Sequence, residues 1–275
     1  MSYTTALQML IDEVVYDKII EFMANVDISR RVDISRRVFP VEVRNSGDAL
    51  KIVKEGTWPD AEEIAQGAEV PIFQPDYSEV TEIYKKVGYR TQITHEMITD
   101  ERWDMVARAA RKAGIQLGLK MSIDVLREAW GTTGIQTYTV SGRWGGANAD
   151  EIGDIANCIG KLTNKNYSYD LMIVNPLDYA HLAAMDEFIH KEKGGDIKRY
   201  EVGSIMNLDV IVTPMMSENN FLVLDTEEAG RLFIREDLRR ARYEEVTRDV
   251  EGQVFFIRYR EATISPSAIV FATGY

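Results

Sequence analysis

The chain has one cysteine and three histidines in 275 residues. A single thiol, Cys158, cannot close an internal disulfide, and the scattered histidines form no cluster with metal-ligand spacing. Stability must come from packing and association. Long hydrophobic runs are missing too. Nothing approaches the roughly eighteen consecutive apolar residues of a membrane span, and the opening from Met1 to Ile11 lacks the basic, apolar and small-residue order of a secretion signal. A soluble intracellular product with no membrane partner is expected. Positive charge is in deficit, with 32 basic against 44 acidic residues and a net charge of −12. That balance opposes broad binding to nucleic acid, because neutralising phosphates takes a basic face, although a local basic stripe is compatible with it.

What the chain does have is 45% hydrophobic residues, enough to bury a sizeable core in one large or two smaller domains. From Thr5 onward, Leu7, Leu10, Ile11, Val14, Val15, Ile19, Phe22 and Met23 recur at helical spacing, which predicts an amphipathic helix. A tandem hexapeptide follows, Val26-Asp27-Ile28-Ser29-Arg30-Arg31 and then Val32-Asp33-Ile34-Ser35-Arg36-Arg37. An even repeat keeps valine and isoleucine on one face of an extended chain but rotates them about 120° apart on a helix, so an extended arm is expected. Residues 47–78 are punctuated by Gly47, Gly56, Pro59, Gly67, Pro71 and Pro75, with short apolar pieces at Leu50 to Val53 and Val70 to Phe73, which predicts a hairpin excursion with little core of its own. Glu79 to Thr94 is strand-rich.

Glu101 to Trp130 then reads as one long helix with two apolar stripes, Trp103, Val106, Ala110, Ala113 and Leu117 on one and Ile115, Leu119, Ile123, Leu126 and Trp130 on the other. Gly114 and Gly118, one turn apart, leave room for close approach of a partner, but that motif is weak outside membranes and simple tolerance is the favoured reading. Further on, Asn148 with Glu151 suggests a helix cap. Leu171 to Val174 suggests a short buried strand, and Asn175-Pro176 a cap and first-turn proline for a helix from Leu177 to Ile189. Val210 to Thr213, Phe221 to Asp225, Arg231 to Ile234, Tyr243 to Val246, Val254 to Tyr259 and Ala268 to Phe271 are strand-like. The class is mixed α and β.

No catalytic constellation emerges. His95-Glu96 opens like a zinc-protease helix, but Thr99 stands where the second histidine is needed. His181 and His190 fall at a spacing that does not converge on a helix, and Gly142 to Gly146 lacks the lysine and hydroxyl of a phosphate loop. Cys158 sits between Ile155 and Leu162 on an apolar face and reads as a small core residue. No enzyme activity, cofactor or metal is expected.

Three stretches carry a resemblance. The first runs from Ala65-Gln66-Gly67-Ala68-Glu69-Val70-Pro71 through Lys85-Lys86-Val87-Gly88 to Ile93-Thr94-His95-Glu96-Met97-Ile98-Thr99-Asp100. The second is Met172-Ile173-Val174-Asn175-Pro176-Leu177-Asp178-Tyr179. The third is Gly203-Ser204-Ile205-Met206-Asn207-Leu208-Asp209-Val210-Ile211-Val212-Thr213-Pro214, with Leu222 to Asp225 and the ending Val254 to Val270. In their order they resemble the major capsid proteins of tailed phages, typified by the Hong Kong 97 head. The resemblance implies an α+β Hong Kong 97-like capsid fold. Its parts would be an N-terminal arm at 1–46, an extended loop at 47–85, a peripheral domain with a long spine helix at 86–147 and 229–275, and an axial domain at 148–228.

It implies a shell subunit whose partners are copies of itself, as pentamers and hexamers of an icosahedral head, and packaged double-stranded DNA held without sequence-specific binding. Scaffolding, portal or decoration proteins are further partners of such shells. The virion, assembled in the host cytoplasm, is the implied location, and an acidic wall would let a packed genome slide past. Leu50, Ile52, Val70, Ile72 and Phe73 of the loop, and Ile28, Arg31, Ile34 and Arg37 of the arm, are the expected intersubunit residues. Residues 1–40 are expected to be dispensable for folding.

The typifying head carries a long scaffolding region removed by proteolysis, whereas here only a short arm precedes Gly47, so a separate scaffolding protein or none is expected. Lys51 and Lys54 are loop lysines without a matched acceptor asparagine, and no cross-link is expected. The alternative within the fold is an encapsulin, a nanocompartment shell holding cargo enzymes, but the tryptophan-containing opening of encapsulins is missing and the first tryptophan is Trp58. The alternative from another class, a small-molecule enzyme on an α/β core, has no site to support it.

Overall fold

A computed structural model describes residues 33–44, 47, 49–55, 63–64, 77–94, 103–190, 201–245 and 250–274. The expected helix from Thr5, the first hexapeptide with Ile28 and Arg31, the loop residues Val70, Ile72 and Phe73, and His95 lie outside them. Two sheets and one long helix organise the rest. The first sheet has the order β1-β11-β12-β4, from Val41–Val43 (β1), Lys85–Thr94 (β4), Gly230–Glu245 (β11) and Val250–Thr263 (β12). The second runs β5-β13-β10-β6-β9-β8-β7, from Gln136–Thr139 (β5), Leu171–Val174 (β6), Ile189–His190 (β7), Glu201–Ile205 (β8), Leu208–Val212 (β9), Phe221–Leu224 (β10) and Ile269–Thr273 (β13). Among the described residues Ala49–Glu55 (β2) and Tyr77–Ile83 (β3) pair only with each other.

The second sheet divides two cores. Leu171, Ile173, Leu222, Leu224 and Ile269 face one core, while Met172, Val174, Phe221, Val223, Val270 and Ala272 alternate into the other. Both faces are covered, which is why β6 and β10 read as unbroken apolar runs. The first core is closed by the long helix (Trp103–Gly131) and by Leu232, Ile234, Phe255, Ile257 and Tyr259 of the first sheet. The second is closed by the helix Glu151–Thr163, through Ile155, Cys158 and Leu162.

The long helix starts and stops close to the expected bounds, and Ala113 and Leu117 are buried as expected. Their stripe continues through Met121, Val125 and Ala129. On the other stripe only Leu126 is fully buried, and Ile115, Leu119 and Ile123 are partly exposed. Two polar residues, Ser122 and Asp124, are buried beside this stripe. Asp124 accepts a bond from the Tyr259 hydroxyl at 2.8 Å and pairs with Lys120 at 2.6 Å, and burial together with Asp124 pushes the Tyr259 phenol up.

Several expectations are corrected. The second hexapeptide is not extended: Ser35–Val38 forms a single helical turn (α1), because the Asp33 carboxylate accepts from the Ser35 N–H at 3.0 Å and bends the chain. Ile34, Val38 and Phe39 are buried in the main core and Ser35 is buried beside them, so residues 33–40 pack as part of the folded body. The cap of Glu151–Thr163 is Asp150, which accepts from the Gly153 N–H at 3.0 Å, and not Asn148. Asn175 caps as expected, accepting from the Leu177 N–H at 2.8 Å, but its helix ends at Leu182. The chain then doubles back so that Phe188 meets the Tyr179 ring edge-on at 5.7 Å and Ile189–His190 pair with Ser204 and Gly203. Strands β5 and β13 both pair into the second sheet, β5 parallel to β13 and β13 antiparallel to β10.

Candidate assembly interface

Three regions of the described surface carry built arrangements of side chains. The first is the β2–β3 hairpin. Alternation along β2 turns Leu50 and Ile52 inward, and they are 2% and 4% exposed against Tyr84, Phe233 and Ala262 of the same chain. These two residues, expected at a subunit contact, are buried within the chain itself, where the hairpin's foot rests on the first sheet. Lys51 faces out and pairs with Glu79 at 2.7 Å, and Arg260 holds Glu82 at 2.6 Å. Lys85 pairs with the buried Glu261. Ile83, at the root of the hairpin, is 72% exposed.

The second surface is the first sheet itself. Its face away from the long helix carries Arg231, Arg235, Arg258, Arg260, Lys86 and Arg90, the local basic stripe that the overall charge left open. Lys86 lies over Phe256 at 4.2 Å, Arg90 over Tyr243 at 3.9 Å and Arg44 over Phe233 at 5.0 Å. Rings and carboxylates thus hold the cations flat against the sheet. The edge strand β1 shows Val43, 64% exposed, on an unpaired side.

The third lies at one end of the second sheet, where β5, β6, β9 and β13 finish and β10 begins. Asp154, on the buried side of its helix, organises it. One carboxylate oxygen accepts from the Tyr138 hydroxyl at 3.0 Å and the Ser141 N–H at 2.9 Å, the other from the Ser141 hydroxyl at 3.1 Å and the Trp144 indole at 3.2 Å. Loop 140–150 is thereby tied down, and Gly145, at φ +78°, lets the His181 ring close over it. Asp178 accepts from the Asn219 N–H at 2.8 Å, and burial pushes its carboxyl up. Asn175 donates to the Met216 carbonyl at 2.6 Å. Sequence reasoning passed over Asp154. The signal was a carboxylate one turn before Cys158 on an otherwise apolar helix face.

Asp154→Ala would strand four donors, and we expect a loss of about 3 kcal/mol in the subunit's urea unfolding free energy, with Asp154→Asn losing less. An unchanged urea midpoint would show that the network is dispensable.

Cys158 is buried as expected, and burial reinforced by Asp154 pushes its thiol up to about 12. It should resist thiol reagents at pH 8 in the folded protein and react at once in denaturant. Rapid labelling of native protein would contradict this burial. Among the described residues no group of His, Cys, Asp and Glu side chains could hold a metal ion, and no helix is long and apolar enough to cross a membrane.

The expected arm contacts are in part internal. Ile34 is buried, its N–H donating to the Ser122 hydroxyl at 3.0 Å, and Arg37 pairs with Asp209 at 2.9 Å. Gly118 does serve a close approach, but of this chain's own Asp33, whereas among the described residues no atom would lie within 4 Å of a Cβ at Gly114.

Comparisons place this architecture. No curated protein matches the chain in sequence. The fold matches a virus-like particle from Pyrococcus furiosus, with TM-score 0.65 and 18% identity over 94% of this chain and 99% of that one. It also matches a protein of Mycobacterium phage Bobi, with TM-score 0.66 and 14% identity over 88% and 90% of the two chains. The capsid of a native GTA particle matches with TM-score 0.65 and 11% identity over 88% and 89%. These likenesses establish a shared α+β fold. Residues 76–270 match the family model described as phage capsid protein, and that span includes both sheets apart from β1 and the last residues of β13. The chain belongs to the phage capsid protein family, and it is a structural subunit of a viral particle.

Proposed function

We propose that the chain is the major capsid protein of a tailed phage, closing from pentamers and hexamers into an icosahedral head around double-stranded DNA. The family match over residues 76–270 carries this reading. In it the first sheet and the long helix serve as the peripheral unit, the second sheet as the axial unit, and the β2–β3 hairpin as the foot of an extended loop. The distal loop, with Val70, Ile72 and Phe73, reaches a neighbouring subunit. Ile28 and Arg31 lie in the part of the arm that does the same. DNA is enclosed without sequence-specific contacts, the particle is assembled in the host cytoplasm, and scaffolding, portal or decoration proteins are the remaining partners.

A nanocompartment shell that holds cargo enzymes is the second reading. The match to the virus-like particle from Pyrococcus furiosus, which covers 99% of that chain, favours it. Electron microscopy and mass spectrometry of particles from the native source separate the two: DNA-filled heads support the first and enzyme-filled shells the second. Subunits that stay monomeric at high concentration would sink both.

A further inference from the structure

Membership of a capsid family does not account for the tandem hexapeptide. The repeat is in fact seven residues long in each frame: Val26 to Val32 and Val32 to Val38 both read Val-Asp-Ile-Ser-Arg-Arg-Val. The structure shows how the second copy is seated on the long helix. Asp33 lies over Gly118, where a Cβ would stand 3.2 Å from that of Asp33. The Ile34 N–H donates to the Ser122 hydroxyl at 3.0 Å, and its side chain enters the core. Ser35 bonds back to Asp33, Arg37 reaches Asp209 at 2.9 Å, and Val38 is buried. Each of these residues has an identical counterpart six positions earlier, in Asp27, Ile28, Ser29, Arg31 and Val32. The match ends at Phe39, whose counterpart is Asp33.

We propose that this seat accepts either copy, giving the chain two registers that differ by six residues. In the first, residues 33–38 fill the seat, as observed. In the second, residues 27–32 fill it, residues 33–38 loop out, and Phe39 keeps its own pocket. The seat meets the same side chains in both cases, with Ile28 and Val32 replacing Ile34 and Val38 in the core. What distinguishes the registers is closure of one short loop, whose entropic cost grows slowly with length. The arm ahead of the seat is six residues shorter in the second register, about 20 Å of extended chain. One sequence thereby supplies two arm lengths to subunits in non-identical surroundings. The two registers are a property of the subunit and do not depend on what shell it builds.

The test uses the full chain with Gly118→Cys combined with either Asp33→Cys or Asp27→Cys, oxidised and mapped by peptide mass spectrometry. The spacing at Gly118 is near the roughly 3.5 to 4.5 Å between Cβ atoms that a disulfide spans. Both pairs should form an intrachain disulfide. A bridge from the Asp33→Cys pair alone, or an Asp27→Cys bridge only between chains, overturns the proposal.

Cysteine at position 33 removes the bond to Ser35, so thermal unfolding of Ile28→Asp, Ile34→Asp and the double variant provides a second measurement. Each single variant should stay near the parent, since the intact copy takes the seat. The double variant should fall by about 10 °C. If Ile34→Asp alone produces the full drop, the seat takes only the second copy.

Discussion

A subunit in which residues 56–76 are replaced by a short Gly/Ser turn is expected to remain soluble, keep its circular dichroism and fail to form shells. The foot of the hairpin is self-contained, with Leu50 and Ile52 packed on Tyr84, Phe233 and Ala262 and ladder pairing from Ala49–Ile83 to Glu55–Tyr77. None of the described core residues lies in the segment beyond it. The distal residues are in a different position. Fixing each costs about 1 to 2 kcal/mol of backbone entropy, which a segment punctuated by Gly67, Pro71 and Pro75 has little means to offset within itself. Val70, Ile72 and Phe73 would each return roughly 1.5 to 3 kcal/mol if buried on a neighbour. The partly exposed Ile115, Leu119 and Ile123, one turn apart along the long helix, offer a surface of the right kind. Sedimentation and electron microscopy read the outcome. Shells of normal size from the shortened chain would remove the clasp, and loss of the dichroism would place the distal loop in the subunit's own core.

Two truncations should part company sharply. Deleting residues 1–32 should leave a folded subunit that assembles poorly, whereas deleting 1–40 should leave no stable subunit. The difference is Ile34, Ser35, Val38 and Phe39, all buried, together with the Pro40 carbonyl that accepts from the Leu232 N–H at 2.9 Å. Loss of a buried phenylalanine side chain alone costs about 3 to 5 kcal/mol, against a total stability of about 5 to 15 kcal/mol for a typical domain. Phe39→Ala in the full chain is a milder version and should lower the thermal midpoint by about 10 °C. A well-folded protein lacking residues 1–40 would show that the arm's last turn adds little. Unimpaired assembly after deletion of 1–32 would remove the arm from the interface.

Local pattern made much of this fold legible. The long helix, the strand Leu171–Val174 and the Asn175-Pro176 start were readable because each is set by residues within one or two turns. What escaped was set at a distance. The sequence around Ile269–Thr273 says strand, but only its partners, Phe221 to Leu224 on one side and Gln136 to Thr139 on the other, say which sheet. Leu50 and Ile52 looked unpartnered because Phe233 and Ala262 lie far along the chain. Even spacing favoured an extended second hexapeptide until Asp33 bonded Ser35 and Ser122 bonded Ile34. For the proposed interface, residue types singled out the loop and the arm, but Ile34 and Arg37 are engaged within the subunit, and that could be seen only once the long helix was in place.

The dividing sheet has a consequence for how the subunit comes apart. Because β6, β10 and β13 give one face to each core, melting either core strips the same strands that the other needs. The two clusters should therefore unfold in a single cooperative step, and the backbone amides of β6 and β10 should exchange with solvent only through global opening. A fragment cut at 148 and 228 would lack β5 and β13 and leave the β13-facing side of β10 bare, so it should not fold alone. The two sheets are two directions in which one cooperative unit extends, and strain applied to either should be shared by both.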